Sequence, residues 1–224
     1  MRTARRVQPE WLDELPADDP RARRSRRDLA RINALMGNAA LVADELQAGL
    51  SPIAEIGAGD GGFLLRVARA MGTRDVEAIL VDRKDVVTPA MRGQFAAHGW
   101  RAKAIEADVF DWLRETAAVD AIVANLFLHH FEPPRLAEML ALAAVRARVF
   151  VACEPRRSAF ALNGARLLGL AGCNDVSRHD AVVSVRAGFR DGELASLWPK
   201  DAAWELREGA RGLFSHVFVA RRRA

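Results

Sequence analysis

Residues 52–62 read PIAEIGAGDGG, and this stretch decides how the rest of the chain is interpreted. A short apolar run, Ile53–Ile56, leads into a glycine-rich loop, which is the pattern of a strand that ends in a ligand-binding turn. The glycines fit G-x-G-x-x-G, a spacing that brings backbone amides close to a pyrophosphate. The stretch also fits E-x-G-x-G-x-G, with Glu55 two residues before the first glycine. A carboxylate at this position suits a ligand that carries a cation.

Downstream of this loop, β-type runs alternate with helical segments. The pattern predicts five parallel strands: Ile53–Ile56, Val76–Val81, Trp100–Ala107, Asp120–Leu126 and Arg148–Cys153. Two further β-type runs, Trp204–Glu208 and Leu213–Ala220, flank a Gly-Ala-Arg-Gly segment at 209–212 and predict a terminal antiparallel hairpin. The expected fold is α/β, a doubly wound, mostly parallel, seven-stranded Rossmann-like sheet with helices on both faces.

The N-terminal region has a different pattern. Residues 20–36 have apolar positions at helical spacing and stop before Gly37, and Ala39–Leu46 reads as a second helix. We therefore expect a helical lid or appendage over residues 1–48 and the main domain over residues 49–224. Residues 173–190 fit neither the helical nor the strand period cleanly, so we expect an insertion near the carboxyl edge of the sheet.

Composition narrows the class of protein. The 224 residues are 50% hydrophobic and 28% charged, and no apolar run approaches the roughly 20 residues of a membrane span. The first residues carry arginines but no apolar stretch after them, so no secretory signal is indicated and a cytoplasmic protein is expected. Cys153 and Cys173 have no metal-ligand spacing, and no bound metal is expected.

The net charge of +4 raises the question of nucleic-acid binding. Nearly all basic residues are arginines, and those near the N-terminus alternate with acidic residues such as Asp13, Glu14 and Asp28. This mixture favours a solvated, salt-bridged face over a polyanion site, so nucleic acid is not the expected partner.

Polar side chains follow successive predicted strands. Glu55, Asp82, Asp108 and Asn125 all lie at or just beyond a strand end, and the carboxyl ends of parallel strands meet at one edge of a sheet. Three carboxylates around one pocket would repel a pyrophosphate but suit a ligand with a cation and hydroxyl groups. Asp82 does not discriminate, because an acid there binds ribose hydroxyls in either class of ligand.

Four motifs, EIGAGDGG, VDRKD, EADVFDW and ANLFLHHF, together resemble the class I S-adenosylmethionine-dependent methyltransferases. The resemblance covers about residues 50–155 and the terminal hairpin. The LHHF stretch is most similar to the small-molecule branch that includes quinone and aromatic polyketide methyltransferases. The resemblance implies S-adenosylmethionine as cofactor and S-adenosylhomocysteine as product, with a small aromatic or lipid-like acceptor methylated at oxygen. A homodimer is compatible with it.

The same resemblance implies a set of cofactor contacts. Glu55 would meet the methionine amino group, Asp82 the ribose hydroxyls, and Asp108 with the Val109 amide the adenine edge. Asn125 and Leu126 would line the methionine moiety. The full implied set is Glu55, Gly57, Ala58, Gly59, Gly61, Asp82, Arg83, Asp108, Val109, Asn125 and Leu126.

A base is needed only if the acceptor loses a proton during transfer. His129 and His130 follow the fourth strand beside the expected methyl position, and His179 precedes Asp180, which could orient its imidazole. These three are the catalytic candidates, and Glu154 is another candidate base or acceptor contact. Arg156 and Arg157 could hold an anionic acceptor.

The N-terminal helices offer an apolar lining for a hydrophobic acceptor, formed by Trp11, Leu12, Leu15, Ile32 and Met36. Three alternatives remain open. An NAD-dependent oxidoreductase is disfavoured by Glu55, and an RNA methyltransferase would use the basic N-terminus to track phosphates. A non-catalytic cofactor-binding protein is also compatible with these motifs.

Overall fold

The computed structural model describes residues 4–16 and 18–223. The strands are β1 Ile53–Ile56, β2 Val76–Asp82, β3 Trp100–Glu106, β4 Val119–Asn125, β5 Ala147–Pro155, β6 Trp204–Arg211 and β7 Ser215–Arg222. The helices are α1 Trp11–Glu14, α2 Pro20–Met36, α3 Asn38–Glu45, α4 Gly62–Met71, α5 Pro89–Ala97, α6 Val109–Glu115, α7 Pro133–Arg146, α8 Ala159–Leu167, α9 Asp175–Ala187 and α10 Glu193–Leu197.

The strands form one seven-stranded sheet in the order β3-β2-β1-β4-β5-β7-β6. The first five strands are parallel to one another, and β7 pairs antiparallel with both β5 and β6. The expected doubly wound, mostly parallel sheet with a terminal hairpin is confirmed. The strand order reverses between β1 and β4, so a ligand crevice is expected at their carboxyl ends.

Two hydrophobic cores lie on opposite faces of the sheet. On one face, α6, α7 and α10 pack on alternate strand residues, including Ile56 of β1. On the other, α3, α4 and α5 cover residues such as Ile53, and this core includes Val42 and Leu46 of the N-terminal region. All four residues of β1 are buried, as expected of a strand covered on both faces.

Side-chain hydrogen bonds cap the starts of two helices. Thr88 caps α5 by accepting a hydrogen bond from the Met91 amide, and Asp108 caps α6 in the same way from Phe110. Gly37 adopts φ +67° at the end of α2, a conformation that glycine tolerates best.

Most of the insertion expected at residues 173–190 is helical. Asp175–Ala187 forms α9, which begins at Asn174, whose side chain accepts a hydrogen bond from the Ser177 amide at 2.9 Å. Two of the residues that α9 buries are polar, Ser177 and Asp180, so its apolar period is broken. The buried polar groups bond to α2 and to the start of α1.

Smaller differences occur at element ends. The terminal turn lies at 212–214, beyond the predicted 209–212, because β6 continues to Arg211 and Gly212 takes φ +63°. Helix α8 ends at Leu167. Most strand ends differ from the predicted ones by a residue or two.

Candidate active site

The glycine loop lies directly beyond β1 and is shaped by the β2 strand beside it. The Ala58 amide donates to the Val81 carbonyl at 3.0 Å, and Gly57, Gly59 and Gly61 have φ of +69°, +53° and +79°. A Cβ on Gly57 would lie 2.2 Å from the Phe127 ring, whereas one on Gly59 would meet no atom within 4 Å. The loop therefore presents open space at Gly59, where backbone can approach a ligand.

Asp82 ends β2 beside this loop. Its Oδ2 accepts a hydrogen bond from the Gly59 amide at 2.9 Å, and its Oδ1 accepts one from the Lys84 backbone amide at 3.1 Å. Asp82 is partly accessible and the neighbouring Arg83 is exposed. A carboxylate offers about four lone-pair positions, so Asp82 keeps acceptor capacity for hydroxyl groups.

Glu55 is buried at the centre of the site, with 2% of its surface exposed. Its Oε2 accepts a hydrogen bond from the Leu64 amide of α4 at 3.2 Å. Burial raises the pKa of Glu55 well above its usual range, although the Leu64 amide opposes this. No ion pair links Glu55 to a cation among the described residues. A ligand ammonium group beside Glu55 would stabilise the charged form of this buried carboxylate.

Asp108 and Asn125 complete the row of polar strand ends. Asp108 Oδ1 accepts from the Phe110 amide at 2.8 Å, while the following Val109 is buried. The side chain of Asn125 is buried, and its Oδ1 accepts from Asn38 Nδ2 of α3 at 3.2 Å. A residue of the N-terminal region thus fixes the side chain that ends β4.

Leu126 connects this edge to a separate cavity. It adopts φ +51°, which is uncommon for a non-glycine residue, and its amide donates to the Cys153 carbonyl at 3.0 Å. Its side chain lines a cavity of about 300 Å³ that lies between α2, α8 and α9. The predicted site residues and this cavity are therefore adjacent at Leu126.

The cavity is lined mainly by apolar side chains. Of the five lining residues predicted from the sequence, Leu12, Ile32 and Met36 line it, whereas Trp11 and Leu15 do not. Its polar lining includes Glu10, Ser25, Ser177, Asp180 and Ser184. Among these, Ser25 and Ser177 bond to each other at 3.0 Å, so their hydrogen-bonding capacity is partly used.

His129 is buried beside the cavity. Its Nδ1 lies 2.7 Å from Glu154 Oε2 and its Nε2 lies 3.2 Å from Glu10 Oε1. Burial alone would lower the pKa of His129, but hydrogen bonds to the two carboxylates raise it to about 9. Burial alone would raise the pKa of Glu10 and of Glu154, but their hydrogen bonds to His129 hold the pKa of both carboxyl groups below the usual range.

His130 lies next to His129, with ring centroids 4.2 Å apart. Its Nδ1 lies 3.0 Å from the Phe127 carbonyl oxygen, and its Nε2 lies 3.5 Å from Glu10 Oε2. His130 is more accessible than His129. Two of the three candidate histidines therefore meet at one carboxylate.

His179 is placed differently. Its Nδ1 lies 2.9 Å from Asp180 Oδ1, as the sequence suggested, and its ring stacks on Trp11 at a centroid distance of 3.8 Å. Asp180 also accepts hydrogen bonds from the Trp11 and Leu12 amides, which start α1. Asp180 lines the cavity, whereas His179 does not.

Glu10 is the site residue that sequence reasoning missed. It lies in irregular chain before α1 with no periodicity or motif, so the sequence carries no signal for it. The sequence candidate Glu154 bonds to His129 and also accepts hydrogen bonds from the backbone amides of Phe127, Leu128 and His129. Arg157 is buried and pairs with Glu193 of α10.

Comparison with known proteins assigns part of the chain. Residues 53–147 match the family model described as a methyltransferase domain. A search of curated proteins finds no match. Within the described residues, none of the helices combines the length and apolarity needed to cross a membrane.

Several solved structures share the fold. An O-methyltransferase family protein from Burkholderia thailandensis is 21% identical with a TM-score of 0.63, covering 93% of this chain and 61% of that one. The mitomycin 7-O-methyltransferase MmcR is 19% identical with a TM-score of 0.61, covering 95% and 60%. The plantazolicin methyltransferase BpumL, solved in complex with SAH, is 12% identical with a TM-score of 0.67, covering 92% of each chain.

These likenesses, all at 21% identity or less, show the fold alone. This chain spans only about 60% of the length of the two O-methyltransferases.

Proposed function

We propose that this protein transfers a methyl group from S-adenosylmethionine to a hydroxyl oxygen of a small, apolar acceptor bound in the cavity between α2, α8 and α9. The observation that carries the proposal is the position of this cavity, which adjoins the end of β4 through Leu126. Its volume of about 300 Å³ is at the lower end of the range for small-molecule sites.

The cofactor would bind at the carboxyl edge of β1, β2 and β4. Glu55 would accept the ammonium group, and Asp82, which already holds the Gly59 amide, would accept the ribose hydroxyls. Asp108 at the start of α6 would contact the adenine, and Leu126 would lie between cofactor and acceptor. The buried Glu55 and the open space at Gly59 support this fit. S-adenosylmethionine supplies an activated methyl group on a sulfonium, so no residue has to activate the leaving group.

The main task of the protein is then to align the acceptor oxygen and exclude water. Such positioning can contribute several kcal/mol to lowering the barrier. The apolar residues of α2 and α8 would hold the acceptor, while α1 and α2 act as a lid. The group formed by Glu10, His129 and His130 would assist the loss of the hydroxyl proton, because Glu10 is the member of this group that lines the cavity.

The test is a transfer assay with methyl-labelled S-adenosylmethionine and a panel of phenols that range from one ring to several. We expect label to appear in small apolar phenols, and mass spectrometry should find one added methyl on oxygen. Structured RNA serves as the competing acceptor. Labelling of RNA with no labelling of any phenol would contradict the proposal and favour the nucleic-acid alternative.

A further inference from the structure

Glu10, His129 and His130 form a compact cluster beside the cavity, which Glu10 lines. One ligand-capable atom from each residue lies within 4.8 Å of the others. His129 Nε2 is 3.2 Å from Glu10 Oε1, and His130 Nε2 is 3.5 Å from Glu10 Oε2. Ligand atoms of a tetrahedral zinc ion with bonds of about 2.0–2.1 Å are about 3.3 Å apart. The two histidine–carboxylate separations are close to that spacing, and they run to different oxygens of Glu10.

The outer hydrogen bonds of both histidines orient them for metal binding. A carboxylate can only accept, so His129 donates Nδ1–H to Glu154, at 2.7 Å. His130 likewise donates Nδ1–H to the Phe127 carbonyl at 3.0 Å. Metal binding would displace the Nε2–H proton with which His129 faces Glu10, and the Nε2 lone pairs of both histidines would then be available to the ion. Metal-ligating histidines show this same pattern, with the second ring nitrogen bound to a carboxylate or a carbonyl.

The residues that contact the cluster also hold it in an arrangement that suits a bound metal ion. Glu154 is fully buried and is held by three backbone amides, so it cannot swing away from His129. Ser184 donates to Glu10, which orients the carboxylate. Glu10 and Ser184 both line the cavity, so the side of the cluster opposite the histidines faces the space assigned to the acceptor.

From this geometry we infer that Glu10, His129 and His130 bind a divalent transition-metal ion, with zinc as the natural candidate, through one carboxylate and two Nε2 atoms. Two imidazoles and one carboxylate form a donor set that suits zinc, iron or cobalt better than magnesium. Three protein ligands leave a fourth position open, as in catalytic zinc sites.

The role that we give to the metal ion rests on the proposed function. An acceptor hydroxyl at the open position would lose its proton more easily, because a bound cation lowers the pKa of a ligated hydroxyl. The O–H bond breaks, the proton passes to solvent, and the electron pair remains on the acceptor oxygen as the nucleophile. The cluster would thereby select acceptors that carry a hydroxyl group and position that oxygen beside Glu10.

The experiment is calorimetric titration of Zn²⁺ into protein that has been treated with a chelator and desalted, with Mg²⁺ as the comparison ion. We expect one equivalent of Zn²⁺ to bind, with no heat from Mg²⁺ at the same concentration. Co²⁺ should give visible absorption bands of a four-coordinate site. Glu10→Gln and His130→Ala should each weaken Zn²⁺ binding by at least about 100-fold, since each removes a ligand.

His98→Ala is the matched control, because His98 lies outside the cluster and its Nε2 accepts from Arg69. It should leave Zn²⁺ affinity unchanged. His130 is partly accessible, so His130→Ala removes a ligand without opening the core, and circular dichroism checks its fold. Equal Zn²⁺ affinity in wild type and His130→Ala, or no Zn²⁺ binding by wild type, would overturn the inference.

The outcomes separate the two proposals. Zn²⁺ binding that depends on Glu10 and His130, without methyl transfer to any phenol, supports the metal site and contradicts the proposed function. Transfer to phenols by protein that binds no Zn²⁺ supports the function and overturns the metal site.

Discussion

Asp82 holds the glycine loop in place by accepting the Gly59 amide at Oδ2, with a distance of 2.9 Å. The carboxylate at the end of β2 is therefore hydrogen-bonded to the loop that follows β1. Asp82 would therefore have two roles, one in binding ribose hydroxyls and one in shaping the loop. Variants of Asp82 must distinguish the loss of ligand binding from a change in the loop.

Asp82→Ala should weaken S-adenosylhomocysteine binding by roughly 1.5–3 kcal/mol, which is about 10- to 150-fold, because a charged acceptor for two hydroxyls is lost. Asp82→Asn keeps one acceptor oxygen for the loop and should lose less. Asp111→Ala, at an exposed position of α6, is the control and should bind normally. If Asp82→Ala stays folded and binds as tightly as wild type, the assignment of Asp82 to the ribose is wrong.

Glu55→Gln should change stability in a pH-dependent way. Burial raises the native pKa of Glu55 above its reference value of 4.5, so the native state binds more protons than the unfolded state between the two pKa values. The free energy of unfolding of the wild type should therefore fall as pH rises through that window, whereas the variant lacks this contribution. Chemical denaturation at acidic and neutral pH, with the exposed Glu115→Gln as control, measures the difference. A stability gap that is independent of pH would contradict the prediction.

The same variant should discriminate between ligands. Glu55→Gln should weaken S-adenosylhomocysteine more than adenosine, because only the former carries an ammonium group. Titration of both ligands into both proteins gives the comparison. Equal losses for the two ligands would indicate that Glu55 has only a structural role.

Filling the cavity should impair the acceptor and spare the cofactor. Ala181 of α9 lines the cavity, and Ala181→Phe should raise the acceptor KM several-fold or more with nearly constant S-adenosylhomocysteine affinity. Ala141→Phe on the exposed face of α7 is the matched control. If both variants behave alike in acceptor kinetics, the acceptor binds elsewhere.

The histidines should differ in their effect on turnover. His130→Ala should reduce turnover of a phenol by about 10²–10⁴-fold, the usual contribution of assisted proton removal, without changing cofactor affinity. His179→Ala should have a smaller effect, because its ring stacks on Trp11 outside the cavity lining. The defect in His130→Ala should vanish above the pKa of the acceptor. A larger loss for His179→Ala than for His130→Ala would contradict this ranking.

Most of the sheet was predictable because its strands are short apolar runs bounded by glycine, proline and capping residues. The proposed location of the cofactor site rests on Glu55, the glycine loop and Asp82, since strand ends in a parallel sheet share an edge. Both predictions depend on local sequence patterns, and the tertiary structure is consistent with those patterns.

The acceptor side was less predictable. Helix α9 buries Ser177 and Asp180, which hides its period, and their partners come from residues about 150 positions or more away in sequence. Glu10 meets His129 across 119 positions, and nothing local marks either residue as a partner of the other. Contacts of this kind arise only when the N-terminal helices pack on the sheet.

The central claim is that the glycine loop and its acids bind S-adenosylmethionine, and calorimetric titration tests it most directly. S-adenosylhomocysteine and NAD are titrated separately into the wild-type protein under the same conditions. We expect S-adenosylhomocysteine to bind one site per chain with a Kd in the micromolar range, and NAD to give no binding heat. Binding of NAD without binding of S-adenosylhomocysteine would contradict the account and indicate a dinucleotide site.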